Sequence, residues 1–466
     1  MSSLNDDIIN GRGGVKTVLR LAWPSIFDHI MITLVQYADT AMVGFLDKKE
    51  AMASVAINMP LIWLINGIIF STSIAGTVLV ARNIGAKKPA EANLAFRQAA
   101  ILALGLGCLF LVVLQCFGRM IPQALGAEPS YLDHSASYLR VFSWGLIPHS
   151  LSVVFNGALR GSGDTRTPML CNIVTNITNI TGNYFLIFST RIVTFFGLEF
   201  TMPGAGWGVA GAAAATALSY LVSGCLATVV LFKKKDSPVR LTLQSSFKPV
   251  FTMIRQLFQV GIPTALERMT LSSGQLVFYS LISTLGTTSL AAHHIAINAE
   301  SFCYLPTWGF SVAATTLVGQ CLGAQRADYA RRYGNIACLL GVISMTICGL
   351  ILLLFPEPLM KIFTRDQEVI TTGVSLLRIV AIAQPPSALF IVLTGALRGA
   401  GDTKWPFYIS LFGMWGIRVT FAWFAIKVFG WSIRGVWLGM IIDLSIRGAI
   451  FLVRWRTGRW AYALEK

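Results

Sequence analysis

The sequence predicts an all-α integral membrane protein: twelve transmembrane helices in two six-helix lobes, related by a pseudo-two-fold axis along the membrane normal. Three observations predict it. Hydrophobic residues make up 55% of the 466 positions and charged residues only 12%, against roughly 25% charged in a soluble domain. The chain also divides into twelve apolar segments, several longer than the roughly 18 residues a bilayer crossing needs. Finally, one motif is written twice, as Gly157-Ala158-Leu159-Arg160-Gly161-Ser162-Gly163-Asp164-Thr165 and Gly395-Ala396-Leu397-Arg398-Gly399-Ala400-Gly401-Asp402-Thr403.

The repeat extends outward at the same offset. Leu79-Val80 matches Leu317-Val318, Gly85-Ala86 matches Gly323-Ala324, Arg140 matches Arg378 and Pro148 matches Pro386. At an offset one residue longer Pro24 and Asp28 match Pro263 and Glu267, and near the end, at a shorter offset, Thr216 matches Asp443. An internal repeat of this size means two copies of one fold unit. Six spans return a lobe to its starting side, so the copies are parallel and their axis runs along the membrane normal. The expected domains are an N-terminal lobe at 1–232, a joining loop at 233–249 and a C-terminal lobe at 250–466.

In chain order the first lobe holds apolar segments at 18–45, 52–80, 93–117, 131–160, 168–189 and 206–232. The second holds 250–284, 290–321, 331–355, 368–397, 406–429 and 432–455. Pro24, Pro60, Pro148, Pro263, Pro306 and Pro386 are the expected kink points. The doubled motif reads as a helix end and a helix start. Gly161 and Gly163 supply left-handed backbone. Asp164 and Thr165 cap the next helix, and Pro168 fits its first turn. Arg160 and Arg398 are expected where an apolar helix meets water, with their stems along the apolar surface.

The net charge of +16 does not indicate nucleic acid, because the basic residues fall in short loops between apolar runs. One side carries Arg82, Lys87, Lys88, Arg97, Lys233-Lys234-Lys235, Arg326, Arg331, Arg332, Arg454 and Arg456. The other has fewer, chiefly Lys48, Lys49, Arg119, Arg191, Lys361, Arg365 and Arg434. The first side is therefore read as cytoplasmic, with both termini and the 233–249 loop. That loop is polar, as a flexible joint between lobes would be. The eight cysteines lie in or beside apolar runs with no Cys-x-x-Cys pair, as small buried residues do. No phosphate-binding loop, His-Glu-x-x-His or Gly-x-Ser-x-Gly is present. The reading is not an enzyme, with no cofactor and no ATP drive.

Charges inside the spans carry the functional argument, since each costs about 2.5–3.5 kcal/mol at the bilayer centre. Asp28 and Asp39, eleven residues apart on segment 1, lie about 20° apart on one helix face and about 16 Å along it. Gln36 and Thr40 extend that polar stripe. Segment 5 carries Asn172, Asn176, Asn179 and Asn183 at helical spacing. That ridge reads either as interhelical glue or as a surface facing Asp39 that helps hold a cation or proton. Glu267 is expected inward, which turns Arg268 away. Asp443 and Arg447, four apart, are expected to pair, with Arg418 able to join them.

At this point the residues resemble a known family. Tyr37-Ala38-Asp39-Thr40-Ala41-Met42-Val43-Gly44 is similar to the segment-1 signature of multidrug and toxic compound extrusion (MATE) transporters. So are both Gly-Ala-Leu-Arg-Gly-x-Gly-Asp-Thr motifs, and Val436-Trp437-Leu438-Gly439-Met440 followed by Asp443. The resemblance implies a two-lobed, V-shaped antiporter, likened here to the DinF-like branch. It would export organic cations and amphipathic compounds in exchange for H⁺ or Na⁺ by alternating access. It implies Asp39 as the coupling carboxylate, joined by Asn179, Asn183 and Thr216, which would also be the ligands of a Na⁺ ion. Asn183 departs from the carboxylate frequent at that position in the branch. Asp28, Gln36 and Glu267 are the further substrate or proton candidates. The expected partners are small cationic or amphipathic molecules and membrane lipids, not nucleic acid, and the expected state is a monomer in the cell's inner or plasma membrane. The rival readings are a lipid-linked oligosaccharide flippase of the same superfamily and a non-transporting receptor or scaffold.

Overall fold

The computed structural model describes Ile8 and residues 13–44, 49–195, 198–234, 237–242 and 246–463. Lys48 and Lys235 lie outside the described residues, as does the side chain of Lys49. The first half runs α1 (Gly14–Gly44), α2 (Lys49–Ala56), α3 (Met59–Gly85), α4 (Pro89–Phe117), α5 (Met120–Ala124), α6 (Pro129–Ser143), α7 (Leu146–Gly161) and α8 (Arg166–Ile187). A hairpin, β1 (Ser189–Phe195) and β2 (Leu198–Ala205), precedes α9 (Gly208–Lys233). The second half runs α10 (Phe251–Ser283), α11 (Thr287–Gly323), α12 (Ala327–Leu354), α13 (Pro356–Lys361), α14 (Gln367–Ala381) and α15 (Gln384–Gly399). It ends with α16 (Lys404–Leu411), a π-helical stretch (Phe412–Val419), α17 (Thr420–Lys427) and α18 (Ile433–Arg456).

Each of the twelve predicted segments is helical, and α2–α3, α6–α7 and α14–α15 are broken pairs. Seven helical stretches are long and apolar enough to cross a membrane, eight with the bent pair α14–α15. The helices outside that set include α8 with four asparagines, α10 with Glu267 and Arg268, and α11 with Glu300.

Pro24, Pro263 and Pro306 lie inside helices as expected. Pro60, Pro148 and Pro386 instead stand in the first turn of α3, α7 and α15, each just after a break. A first-turn residue has no helical acceptor for its N–H, so proline loses nothing there. The α14–α15 break bends the span by 59°. The antiparallel hairpin and the π-helical stretch lie beyond what the apolar segments imply.

The chain packs as two compact units, one of 1–26, 78–88 and 258–466, the other of 27–77 and 89–257. The first has buried clusters around Leu317, Leu393, Phe451 and Trp455, and around Val380, Trp437 and Met440. The second has one around Ile65, Leu139, Phe142 and Ala213.

Inside the first unit, α3 and α11 cross with swapped partners. A Cβ on Gly85 would strike the Gln320 carbonyl, and one on Gly323 would strike that of Arg82. Gly85 and Gly323 are repeat equivalents, and so are Arg82 and Gln320. A Cβ on Gly319 would come within 3.0 Å of the Ala81 methyl, and those two are also equivalents. Equivalent residues meet each other only beside a two-fold axis.

The doubled motif acts as a clasp. Ser73 Oγ donates to the Val153 carbonyl at 2.7 Å and Thr77 Oγ1 to that of Gly157 at 2.9 Å. In the other copy Ser311 and Thr315 donate to Ile391 and Gly395 at 2.9 and 2.8 Å. Contrary to expectation, Gly161 is not left-handed. Gly163 and Gly401 are left-handed, with φ of 91° and 81°, but Gly161 and Gly399 are the last helical residues of α7 and α15. They are glycine because a Cβ would lie 2.5 Å from the Thr77 carbonyl oxygen, and 2.9 Å from the Thr315 Cα. Small residues four apart let two helix backbones touch. Capping also shifts by one residue: Asp164 Oδ1 accepts from the Thr167 N–H at 3.1 Å, while Thr165 makes no side-chain cap.

The joining loop is not free. Asn93 Nδ2 donates to the Pro238 carbonyl, Arg97 Nη1 to that of Ser246 and Gln98 Nε2 to that of Lys248, at 2.8, 2.8 and 2.9 Å. Val239 is fully buried. The described part of the loop is tied along α4, because polar side chains of α4 satisfy its carbonyls.

Candidate functional site

Helix α8 packs against α9 and turns its asparagine ridge toward α1. Asn172 Nδ2 donates to Asp28 Oδ1 at 2.7 Å. Eleven residues on, Asn183 Nδ2 donates to Asp39 Oδ1 at 2.5 Å. Three helical turns separate the two rungs on both helices, so one ridge serves both acids.

The upper rung belongs to a polar cluster on three helices. Asn183 Nδ2 also donates to Asn179 Oδ1 at 3.2 Å, and Asn179 Nδ2 to Thr216 Oγ1 at 3.4 Å. Thr216 donates in turn to the Ala212 carbonyl at 3.0 Å. Asp39, Asn179, Asn183 and Thr216 are thus brought together. Asn179 and Asn183 are buried, whereas Asp39 and Thr216 are half-buried. Asn183 Oδ1 is buried with no hydrogen-bond partner. Gln36, one turn before Asp39, is exposed. Tyr220 stacks on His149 at 3.9 Å, and His149 Nε2 lies 3.1 Å from Asn66 Oδ1.

The lower rung has a different character. Asp28 is 4% exposed and its Oδ2 meets Arg160 Nη2 at 3.0 Å. The second half repeats the arrangement: Glu267, 1% exposed, meets Arg398 Nη2 at 2.7 Å and accepts from Ser410 Oγ at 3.3 Å. Arg160 and Arg398 therefore do not extend along an apolar surface to water. They turn back onto the acid of the first helix in their own repeat, since a buried carboxylate needs a cation. The sequence shows only that both members of each pair, Asp28 with Arg160 and Glu267 with Arg398, recur in the repeat. As expected, Arg268 points elsewhere, its guanidinium 5.1 Å from the Trp308 ring. The motif aspartates are also engaged, Asp164 with Lys234 and Asp402 with Arg454 at 2.8 Å.

The second half does not repeat the upper cluster. The equivalents of Asp39 and Asn183 are Phe278 and Phe421, and that of Thr216 is Asp443. Asp443 is fully buried between Arg418, at 2.8 Å, and Arg447. The expected pair with Arg418 joined is present. Gly413 in the π-helical stretch leaves room for it, since a Cβ there would overlap Arg447 Cγ at 2.6 Å. Glu300 sits apart, accepting from Tyr304 and from Gln384 Nε2 at 3.1 Å.

The MatE family model matches residues 24–185 and 263–424, one stretch in each repeat. A probable multidrug resistance protein NorM of Thermotoga maritima is 32% identical over 96% of this chain and 93% of its own length. A structure described as the outward-facing conformation of a multidrug resistance MATE family transporter of the MOP superfamily aligns with a TM-score of 0.87 over 98% of both chains, at 23% identity. Another, a MOP superfamily transporter from Pyrococcus furiosus described as having a binding pocket of reverse polarity, aligns with a TM-score of 0.87 over 99% of this chain and 98% of that one, also at 23% identity.

Proposed function

The chain belongs to the MatE family of multi-pass membrane transporters, and on that premise we propose a secondary antiporter that exports organic cations and amphipathic compounds in exchange for H⁺ or Na⁺. Asp39 is the coupling carboxylate. The observation that carries the reading is the cluster around it: one acid, two asparagines and a threonine from three helices, with the buried Asn183 Oδ1 unpartnered. These are hard oxygen donors, the type that suits a hard cation. Asp39, Asn179, Asn183 and Thr216 would hold a Na⁺ ion there.

The ionised Asp39 attracts a cationic substrate or Na⁺. A proton or a sodium ion cancels that attraction, and the substrate leaves. One carboxylate cannot serve both ligands at full charge, so exchange follows from competition. Gln36, exposed one turn away, is suited to meet the substrate. Asp28 and Glu267 hold a lesser place, because each is already paired with an arginine, Arg160 or Arg398. Alternating access of the two lobes, with both termini in the cytoplasm of a cell's inner or plasma membrane, completes the proposal. The acid at the site favours cations and disfavours the flippase reading.

The test is efflux of a fluorescent organic cation from vesicles, with pH and Na⁺ gradients imposed separately on wild type and Asp39→Asn. Efflux under one gradient, lost in Asp39→Asn, supports the proposal and names the ion. Unchanged efflux in Asp39→Asn removes its central residue. No efflux under either gradient, with folded protein in the membrane, turns the reading to the flippase.

A further inference from the structure

The two copies of the fold treat one surface differently. On α4, Asn93 and Arg97 hold the joining loop by its carbonyls. Their repeat equivalents on α12 are Arg331 and Asn335. The described part of the joining loop does not reach these; the end of α18 lies against them, through the Arg456 carbonyl and the Trp455 indole. A crevice of about 460 Å³ opens there instead, between α12, α15 and α18.

Its walls are apolar: Leu339, Val342, Leu389, Leu393 and Leu452. Leu339 on its rim is 60% exposed. Its head is polar. Arg331 and Arg456 stand there, both exposed, and neither takes part in an ion pair among the described residues. Arg331 Nη2 donates to the Arg456 carbonyl at 3.2 Å, which holds the two residues side by side. Asn335 Oδ1 accepts the indole N–H of Trp455 at 2.7 Å. That bond takes the amide oxygen, and the NH₂ remains a donor on a residue of the crevice lining. Trp455 is itself held by stacking on Trp460 at 4.1 Å.

We propose that this crevice binds one anionic phospholipid, its phosphate among Arg331, Arg456 and Asn335 and an acyl chain along Leu339, Val342 and Leu452. Charge complementarity selects the occupant. Two guanidiniums with unused donors suit a phosphate, and basic clefts between spans at the membrane surface take anionic headgroups. The apolar walls suit an acyl chain and offer nothing to a soluble anion. The lipid covers α12 as the loop covers α4.

The experiment measures phosphatidylglycerol and phosphatidylcholine retained by the purified full-length protein in detergent, by native mass spectrometry, with melting shifts alongside. Phosphatidylglycerol is expected to be retained about tenfold better than phosphatidylcholine. Arg331→Gln with Arg456→Gln brings it down to the phosphatidylcholine level. Leu339→Trp, which fills the crevice and keeps both arginines, does the same, and decides alone if the double variant does not fold. Equal retention of both lipids by wild type overturns the proposal. So does wild-type preference in either variant. Water-soluble glycerol phosphate protecting as well as phosphatidylglycerol would mark a free-anion site and overturn the lipid assignment.

Discussion

Arg160 reaches back 132 residues to bond Asp28 at 3.0 Å, and Arg398 does the same to Glu267 in the other repeat. The conspicuous motif is therefore also one half of a buried ion pair. The other half sits on the first helix of each repeat, beside a proline. The pair ties a helix end to a helix middle, which neither sequence stretch reveals alone.

Removing one partner should be worse than removing both. Arg398→Leu leaves Glu267 buried without a cation and is expected to cost about 3–5 kcal/mol. Glu267→Gln with Arg398→Leu should recover most of that loss. Thermal unfolding in detergent measures both. A double variant no more stable than the single one would sink the ion-pair account.

The two rungs between α1 and α8 should separate by readout. Asn172→Ala weakens the support of an acid already held by Arg160, so it lowers melting temperature while cation efflux per folded molecule stays within about twofold. Asn183→Ala strips the amide from Asp39, and efflux falls about tenfold or more with little change in melting. Efflux unchanged in Asn183→Ala would detach segment 5 from coupling.

The motif glycines make a steric prediction. Gly161→Ala and Gly399→Ala drive a methyl into a facing backbone and should each cost about 1–3 kcal/mol. Gly105, helical with nothing within 4 Å of a Cβ, is the control, and Gly105→Ala should be neutral or slightly stabilising. Equal melting temperatures for all three variants would show that the helices do not pack this closely.

The lock of the second half should matter for stability first. Asp443→Asn leaves Arg418 and Arg447 buried together without a carboxylate, at an expected cost of about 3–5 kcal/mol. Folded protein recovered from membranes, followed by size-exclusion chromatography, measures it. Wild-type yield and melting would mean that water reaches these arginines.

The sequence by itself determined the number and order of the spans, because bilayer thickness sets the length of an apolar run and composition exposes it. It determined the repeat, and hence the two-fold symmetry whose mark is Ala81 beside Gly319. It also offered Asn179 and Asn183 as a ridge facing Asp39, since an acid and spaced asparagines in lipid need a reason, while Thr216 joined them only through the family resemblance. Tertiary structure alone decided which buried charges are spent on each other. Asp28 and Asp39 look alike in the chain, but only Asp28 has an arginine, because α7 ends beside it and not beside Asp39. The choice of glycine at 161 likewise depends on the carbonyl of Thr77, and the joining loop looked free until α4 was laid beneath it. Helical periodicity is local and legible in one chain. Charge pairing and backbone approach depend on which distant segment arrives, and no spacing in the sequence records that.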